Sequence, residues 1–108
     1  MIAEVDVRSF SAAHADGALV LDVREPHEYE AGHVPGARLV PLSTVPDVAR
    51  ELPIGPPIYV ICQSGSRSRV AAAHLARIGH DVRAVIGGTS SWVSAGRPVV
   101  RGLRANIA

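Results

Sequence analysis

Short apolar runs rich in β-branched residues alternate along this chain with segments of helical period. Such runs predict strands at residues 19–21, 38–40, 58–61 and 82–85, with a weaker one near residues 4–6. The run at 58–61 is apolar throughout, which is typical of a central strand covered on both faces. The alternation therefore predicts an α/β fold, with a small parallel β-sheet of about five strands flanked by helices on both faces.

Helical patterns occupy the segments between these strands. Residues 9–15 form the first, with Ser9 in the position of an N-terminal cap. A single turn at 26–30 begins with proline, and another helix is predicted at 47–52. The strongest pattern covers residues 68–78. Its predicted buried stripe consists of Val70, Ala71, His74, Leu75 and Ile78.

Length and composition favour one domain over residues 1–108, in which residues 98–108 form either a docked arm or a loose tail. A net charge of +1 and an aromatic content of 4% argue against nucleic acid as a partner. No segment approaches the ~20 apolar residues of a membrane helix, so no membrane partner is expected. Acidic residues near the start do not resemble a secretion signal, and we expect a cytoplasmic protein.

Cys62 is the only cysteine of the chain, and it opens the polar segment 62–68, Cys-Gln-Ser-Gly-Ser-Arg-Ser. A loop between a strand end and a helix start directs backbone N–H groups and the positive end of the helix dipole into one concavity. Such surroundings favour the thiolate and lower the pKa of a cysteine from ~8.5. A buried structural cysteine is the alternative, but the small polar residues of the loop favour a reactive one.

Other candidate residues follow the neighbouring strands. Asp22 and Arg24 come after the strand at 19–21, and ligands of open parallel sheets bind at this edge. His33 is predicted to stabilise a turn, and Trp92 to lie in the core with its indole N–H hydrogen-bonded. The histidines lack metal-ligand spacing, so no metal is predicted, and nothing in the chain indicates a cofactor.

Four stretches, taken in order, resemble the single-domain rhodanese family of sulfurtransferases. They are residues 21–29, 32–37 and 62–68, and Gly87-Gly88 with Trp92 downstream. The resemblance implies a rhodanese-like domain and an enzyme similar to thiosulfate sulfurtransferases. It would move a sulfane sulfur from thiosulfate or a persulfide donor, through a persulfide on Cys62, to cyanide or a thiol acceptor, including a protein thiol.

The same resemblance implies roles for individual residues. Cys62 would be the nucleophile, and the substrate would be bound by Gln63, Ser64, Gly65, Ser66, Arg67 and Ser68. Backbone N–H groups would hold the anionic sulfur, and Arg67 would clamp an anionic donor. Ser68 is expected chiefly to cap the following helix, while Asp22 and Arg24 would support the wall of the site or form only a surface ion pair. We expect a shallow, open site.

Two other functions remain open. Phosphatases and arsenate reductases of related fold hold five residues between cysteine and arginine, whereas only residues 63–66 separate Cys62 from Arg67 here. The shorter loop suits a single terminal sulfur better than a tetrahedral oxyanion. The second alternative is a noncatalytic persulfide carrier or interaction module, whose sequence mark would be a replaced cysteine or a broken loop.

Overall fold

A parallel sheet of five strands organises residues 2–106, the part of the chain that the computed structural model describes. The strands are β1 Ala3–Val5, β2 Leu19–Asp22, β3 Arg38–Leu39, β4 Ile58–Ile61 and β5 Val82–Val85. They lie in the order β1-β5-β4-β2-β3, and every pairing is parallel. The predicted α/β fold is confirmed, and the fully buried β4 occupies the centre of the sheet.

Helices connect the strands, and some of them begin at residues that differ from the predicted ones. They are α1 Val7–Ala15, α2 Pro26–Ala31, α3 Val45–Ala49, α4 Ser66–Ile78 and α5 Gly88–Ser94, with a 3-10 turn at Leu42–Thr44. The prediction that Ser9 caps the first helix is wrong. Asp6 is the cap, because its carboxylate accepts the Ser9 N–H at 2.8 Å and this bond satisfies a free donor of the first turn.

Alternate side chains of β4 enter two separate cores. Ile58 and Val60 face the side of the sheet covered by α3 and α4, and Cys62 continues this alternation beyond the strand. Tyr59 and Ile61 face the opposite side, where Phe10 of α1 and Trp92 of α5 pack against them. The period of two along the strand therefore directs Cys62 toward α4.

The buried stripe of α4 differs from the predicted one. Val70 and Ile78 are 60% and 46% exposed, so assigning them to the core was wrong. The residues that α4 buries lie at spacings of three and four, and they are Ser68, Ala71, Ala72 and Leu75. The helix is rotated so that small residues contact the sheet, and Ser68 faces Cys62, the residue that follows β4.

The segment 98–106 lies against the turn that follows α2. His33 is buried, with its Nδ1 2.8 Å from the Tyr29 carbonyl oxygen and its Nε2 2.7 Å from that of Arg104. The indole N–H of the buried Trp92 donates to the carbonyl of Pro98 at 2.7 Å. Both side chains have the structural roles that the sequence predicts. The last two residues of the predicted arm, 107–108, lie outside the described residues. Within residues 2–106, no helix combines the length and apolar character needed to cross a membrane.

Candidate active site

Cys62 lies where β4 ends, and a loop of residues 63–65 leads from it directly into α4. The residue is only 1% exposed, because the loop folds over it and its side chain lies between the sheet and α4. The expectation of a shallow, open site is wrong at this point. The sulfur lies beneath the loop and is largely shielded from solvent.

Backbone amides converge on this sulfur. The Gly65 N–H donates to Cys62 Sγ at 3.1 Å, and Ser68 Oγ lies 3.5 Å from Sγ. Burial alone raises the pKa of the thiol. Hydrogen bonds from the Ser68 hydroxyl and from the backbone N–H groups of Ser68, Gly65 and Ser64 outweigh burial, so the pKa of Cys62 lies below its ordinary value. A buried structural cysteine in an apolar site would show the opposite shift.

Ser68 contributes to the site from inside the helix and is not its cap. The helix begins at Ser66, and its cap position is Gly65, whose φ of +114° is a conformation that residues with a Cβ rarely adopt. The Ser68 hydroxyl donates to the Gly65 carbonyl at 3.0 Å while it can accept from the Cys62 thiol. When the thiol ionises, the same hydroxyl proton can turn toward the sulfur anion and stabilise it.

The carbonyl groups of the loop are held away from the sulfur by α5. The Cys62 carbonyl accepts from the Thr89 N–H at 2.8 Å and from the Thr89 hydroxyl at 3.1 Å, and the Gln63 carbonyl accepts from the Ser90 N–H at 3.0 Å. A peptide unit whose carbonyl points outward presents its N–H inward. The first turn of α5 therefore fixes the orientation of the loop that surrounds Sγ.

Asp22 and Arg24 form a buried ion pair beside the loop, not a surface one. Arg24 Nε donates to Asp22 Oδ1 at 3.0 Å and Arg24 Nη2 donates to Asp22 Oδ2 at 2.9 Å, with both side chains almost fully buried. Two further donors of Arg24 reach the Gln63 side-chain oxygen at 2.9 Å and the Gly32 carbonyl at 2.8 Å. The guanidinium thus connects β2, the turn after α2, and the residue next to Cys62.

Arg67 is bound by Glu28 of α2. Its Nη1 and Nη2 donate to the two carboxylate oxygens of Glu28 at 2.6 and 2.7 Å. The hydrogen bond from Arg67 is the main cause that lowers the pKa of Glu28 to about 2, and the same bond raises the pKa of Arg67. The positive end of the helix dipole disfavours the Arg67 cation near the N-terminus of α4, and the Glu28 carboxylate offsets this unfavourable interaction.

The other predicted site residues lie at the outer rim of the loop. Ser64 and Ser66 are exposed, and so is Gln63, whose amide donates to Ser90 Oγ at 2.9 Å. An open groove of about 470 Å³ begins beside Gln63. It is lined mainly by Arg24, His27, Gln63, Val93, Val99 and Arg101.

Sequence reasoning did not single out Glu28, Thr89 or Ser90. Thr89 and Ser90 follow Gly87-Gly88 and β5, so the rule that sites form at the carboxyl edge of a parallel sheet could have indicated them. Glu28 carried no comparable signal, because its pairing with Arg67 depends on how α2 packs beside the loop.

Comparison with known proteins agrees with this geometry. The sequence profile of the rhodanese-like domain family matches residues 5–95. The thiosulfate sulfurtransferase GlpE of Pseudomonas entomophila is 38% identical over 84 residues, which is 77% of each chain. A sulfurtransferase of Allochromatium vinosum is 34% identical over 103 residues, covering 93% of this chain and 96% of that protein.

A solved structure shows the same relationship in three dimensions. The rhodanese-related protein of Thermoplasma volcanium superimposes with a TM-score of 0.85 at 30% identity, over 94% of this chain and 99% of that one. The profile match covers well over half of the chain and includes both the strand edge and the cysteine loop. The chain belongs to the rhodanese-like domain family.

Proposed function

We propose that this protein is a sulfurtransferase that moves a sulfane sulfur from thiosulfate, or from a persulfide donor, to a thiophilic acceptor through a persulfide on Cys62. The observation that carries the proposal is the set of hydrogen-bonding groups around Sγ, the Gly65 N–H and the Ser68 hydroxyl among them, which lowers the pKa of the buried Cys62 thiol. Relatives named as sulfurtransferases support the same reaction.

In the first step the Cys62 thiolate attacks the outer sulfur of thiosulfate. A bond forms between Sγ and that sulfur, the bond between the two sulfurs of thiosulfate breaks, and its electron pair leaves with sulfite. The negative charge that remains on the protein lies on the new outer sulfur. The N–H groups of Gly65 and its neighbours can stabilise it, as preorganised N–H groups do for other developing anions, and the Ser68 hydroxyl can do so once its proton turns away from the Gly65 carbonyl.

Burial of Cys62 suits this chemistry better than oxyanion chemistry. Thiosulfate presents one terminal sulfur on a narrow approach, whereas a phosphate or arsenate would need its whole tetrahedral group beside Sγ. After the transfer, the reactive atom is the outer sulfur, which lies about 2 Å from Sγ, because a sulfur–sulfur bond has that length. The persulfide is therefore easier for an acceptor to reach than the thiolate is.

We assign supporting roles to the remaining predicted residues. The backbone from Gln63 to Ser68 holds the sulfur anion. Arg67 presents a positive charge to an anionic donor, and its ion pair with Glu28 reduces that charge. Asp22 and Arg24 fix the Gln63 side of the loop. The chain would act as one catalytic domain, and a free cysteine nucleophile suits the reducing conditions of the cytoplasm.

Intact-mass spectrometry tests the proposal directly. Thiosulfate should increase the mass of the wild-type protein by one sulfur atom, and cyanide should remove that mass with formation of thiocyanate. Cys62→Ser is the control and should gain nothing. An unchanged wild-type mass, or the same gain in Cys62→Ser, would overturn the proposal. Hydrolysis of an aryl phosphate that disappears in Cys62→Ser would instead support oxyanion chemistry.

A further inference from the structure

One face of α4 remains largely open to solvent within residues 2–106. Its side chains follow one another at spacings of three and four along the helix, and they are Ser66, Arg69, Val70, Ala73, His74 and Arg77. We call these six residues the outer face of α4. Val70 and His74 belong to the stripe whose pattern predicted burial, yet Val70 is 60% exposed. The described chain thus has an apolar position on this helix that it does not bury.

The relief of the outer face suits a second helix. Val70 and His74 form a ridge between two depressions, because both residues line each of them. On one side lies an open groove of about 540 Å³ along the outer face. On the other side lies a mainly apolar pocket of about 170 Å³, against Leu42, Val45 and Pro46. A row of side chains four positions apart, with a groove on each side, is the surface against which helices pack.

The outer face carries positive charge that the described chain neutralises poorly. Arg77 is exposed and has no ion-pair partner among residues 2–106, and Arg69 has only an exposed contact with Glu4 at 3.9 Å. An exposed pair at that distance contributes little. No aspartate or glutamate lines the groove. Arg69 and Arg77 are ~12 Å apart along the helix axis, at 1.5 Å per residue, so one ligand can present a carboxylate to each.

A second copy of the chain is a poor occupant of this face. If two copies paired through it, Arg69 and Arg77 of one copy would approach the same arginines of the other, and like charges repel. An acidic partner gains from both arginines while its apolar side chains cover Val70 and Ala73.

We propose that the outer face of α4 binds an acidic amphipathic helix of a partner protein. Apolar side chains of that helix, at spacings of three and four, enter the two depressions, and its carboxylates pair with Arg69 and Arg77. The site is separate from the groups that hold the cysteine sulfur, because Ser68 lies on the buried side of α4. The outer face begins at Ser66, directly after the cysteine loop, so the partner lies beside this loop without contact to Sγ.

A phage-displayed library of helical peptides tests the proposal. Each peptide has apolar residues at positions i, i+3, i+4 and i+7, and the positions beside them are randomised. Selection on the full chain should enrich aspartate and glutamate at the randomised positions. The enriched peptides, measured by fluorescence anisotropy, should bind more weakly as salt is raised, because exposed charges are screened.

Two variants locate the binding. Val70→Gln removes the apolar centre of the outer face, and the double variant Arg69→Gln/Arg77→Gln removes its charge. Each should weaken binding of the enriched peptides about tenfold. Val70 is exposed, so Val70→Gln should fold as the wild type does, which chemical denaturation checks.

Matched controls lie elsewhere on the molecule. Val93→Gln makes the same apolar-to-polar change at an exposed position of α5. The double variant Arg8→Gln/Arg38→Gln removes two exposed charges from α1 and β3. Both controls should bind the peptides within about twofold of wild type.

The proposal fails if the selection enriches no peptide, if it enriches lysine and arginine, or if binding survives Val70→Gln. Self-association of the chain in analytical ultracentrifugation, abolished by Val70→Gln, would also overturn it, because a second copy would then occupy the face. None of these outcomes depends on the sulfurtransferase function, which the mass of the Cys62 persulfide tests separately.

Discussion

Gly88 lies so close to the main chain of Cys62 that a Cβ at position 88 would overlap the Cys62 carbonyl oxygen and lie 2.8 Å from that of Gln63. The contact lets the first turn of α5 bind both carbonyls through Thr89 and Ser90. The amides around the Cys62 sulfur are thus oriented by a helix that itself makes no hydrogen bond to that sulfur.

Substitution of Gly88 by alanine should disturb both stability and reactivity. Gly88 has a φ of +56°, so alanine adds backbone strain of about 1 kcal/mol or more, and its Cβ pushes the cysteine loop away from α5. Gly79→Ala is a matched control, because Gly79 has a φ of +109° but a Cβ at that position would meet nothing within 4 Å. Chemical denaturation and persulfide formation are the measurements. If the two variants lost stability equally and Gly88→Ala formed persulfide at the wild-type rate, α5 would not position the loop.

The Ser68 hydroxyl should determine the pH at which Cys62 becomes reactive. It is one of the donors that lower the pKa of the thiol, so Ser68→Ala should raise that pKa and shift the midpoint of alkylation by iodoacetamide to higher pH. The direction follows because only the thiolate reacts, and a higher pKa means less thiolate at a given pH.

Ser66→Ala provides the comparison for this profile. Ser66 lies in the same first turn of α4, but its side chain is exposed and is not among the groups that lower the pKa of Cys62. Its alkylation profile should match that of the wild type. A wild-type midpoint in Ser68→Ala would mean that the backbone amides alone stabilise the thiolate.

The buried pair of Asp22 and Arg24 should be far more important for stability than a similar pair on the surface. Asp22→Asn leaves the Arg24 cation buried without a counter-charge, which we expect to cost about 3 kcal/mol. Asp81 and Arg83 have the same spacing, but they are partly exposed and 3.5 Å apart, so Asp81→Asn should change stability by less than about 1 kcal/mol. Urea unfolding of the two variants checks this, and equal losses would contradict it.

Glu28 should weaken the binding of an anionic donor. Glu28→Gln removes a negative charge next to the site and releases the Arg67 guanidinium, so we expect the KM for thiosulfate to fall several-fold at low salt, and less at high salt. Glutamine can also accept the Glu25 N–H that Glu28 now accepts, so α2 should keep its capping box.

Steady-state kinetics with thiosulfate and cyanide give this KM. Glu51→Gln makes the same charge change at an exposed position just after α3 and should leave it unaltered. A KM that does not respond to Glu28→Gln would show that Arg67 takes no part in donor binding. Its role would then be limited to joining α2 to the first turn of α4.

The local pattern of apolar and polar residues was sufficient to predict the architecture. The apolar run at 58–61 and the polar segment after it predicted a central strand followed by a loop and a helix, because hydrophobic period and turn residues act over a few neighbouring positions. The same reasoning placed Cys62 at the carboxyl edge of the sheet. It was less accurate about helix starts, since Asp6 and Gly65, not Ser9 and Ser68, occupy the cap positions.

The orientation of the cysteine loop, and the charged groups that lie beside it, depend on tertiary structure alone. Arg67 meets a carboxylate 39 positions away, and the carbonyl of Cys62 meets Thr89 across 27 positions, pairings that depend on the packing of α2 and α5 beside the loop. Burial of Asp22 and Arg24 has the same origin. The position of one cysteine after a central strand could be read from the sequence. Which groups face its sulfur depends on long-range packing. The reason is that hydrogen bonds and charges act over a few ångströms in space, whatever the separation of the residues along the chain.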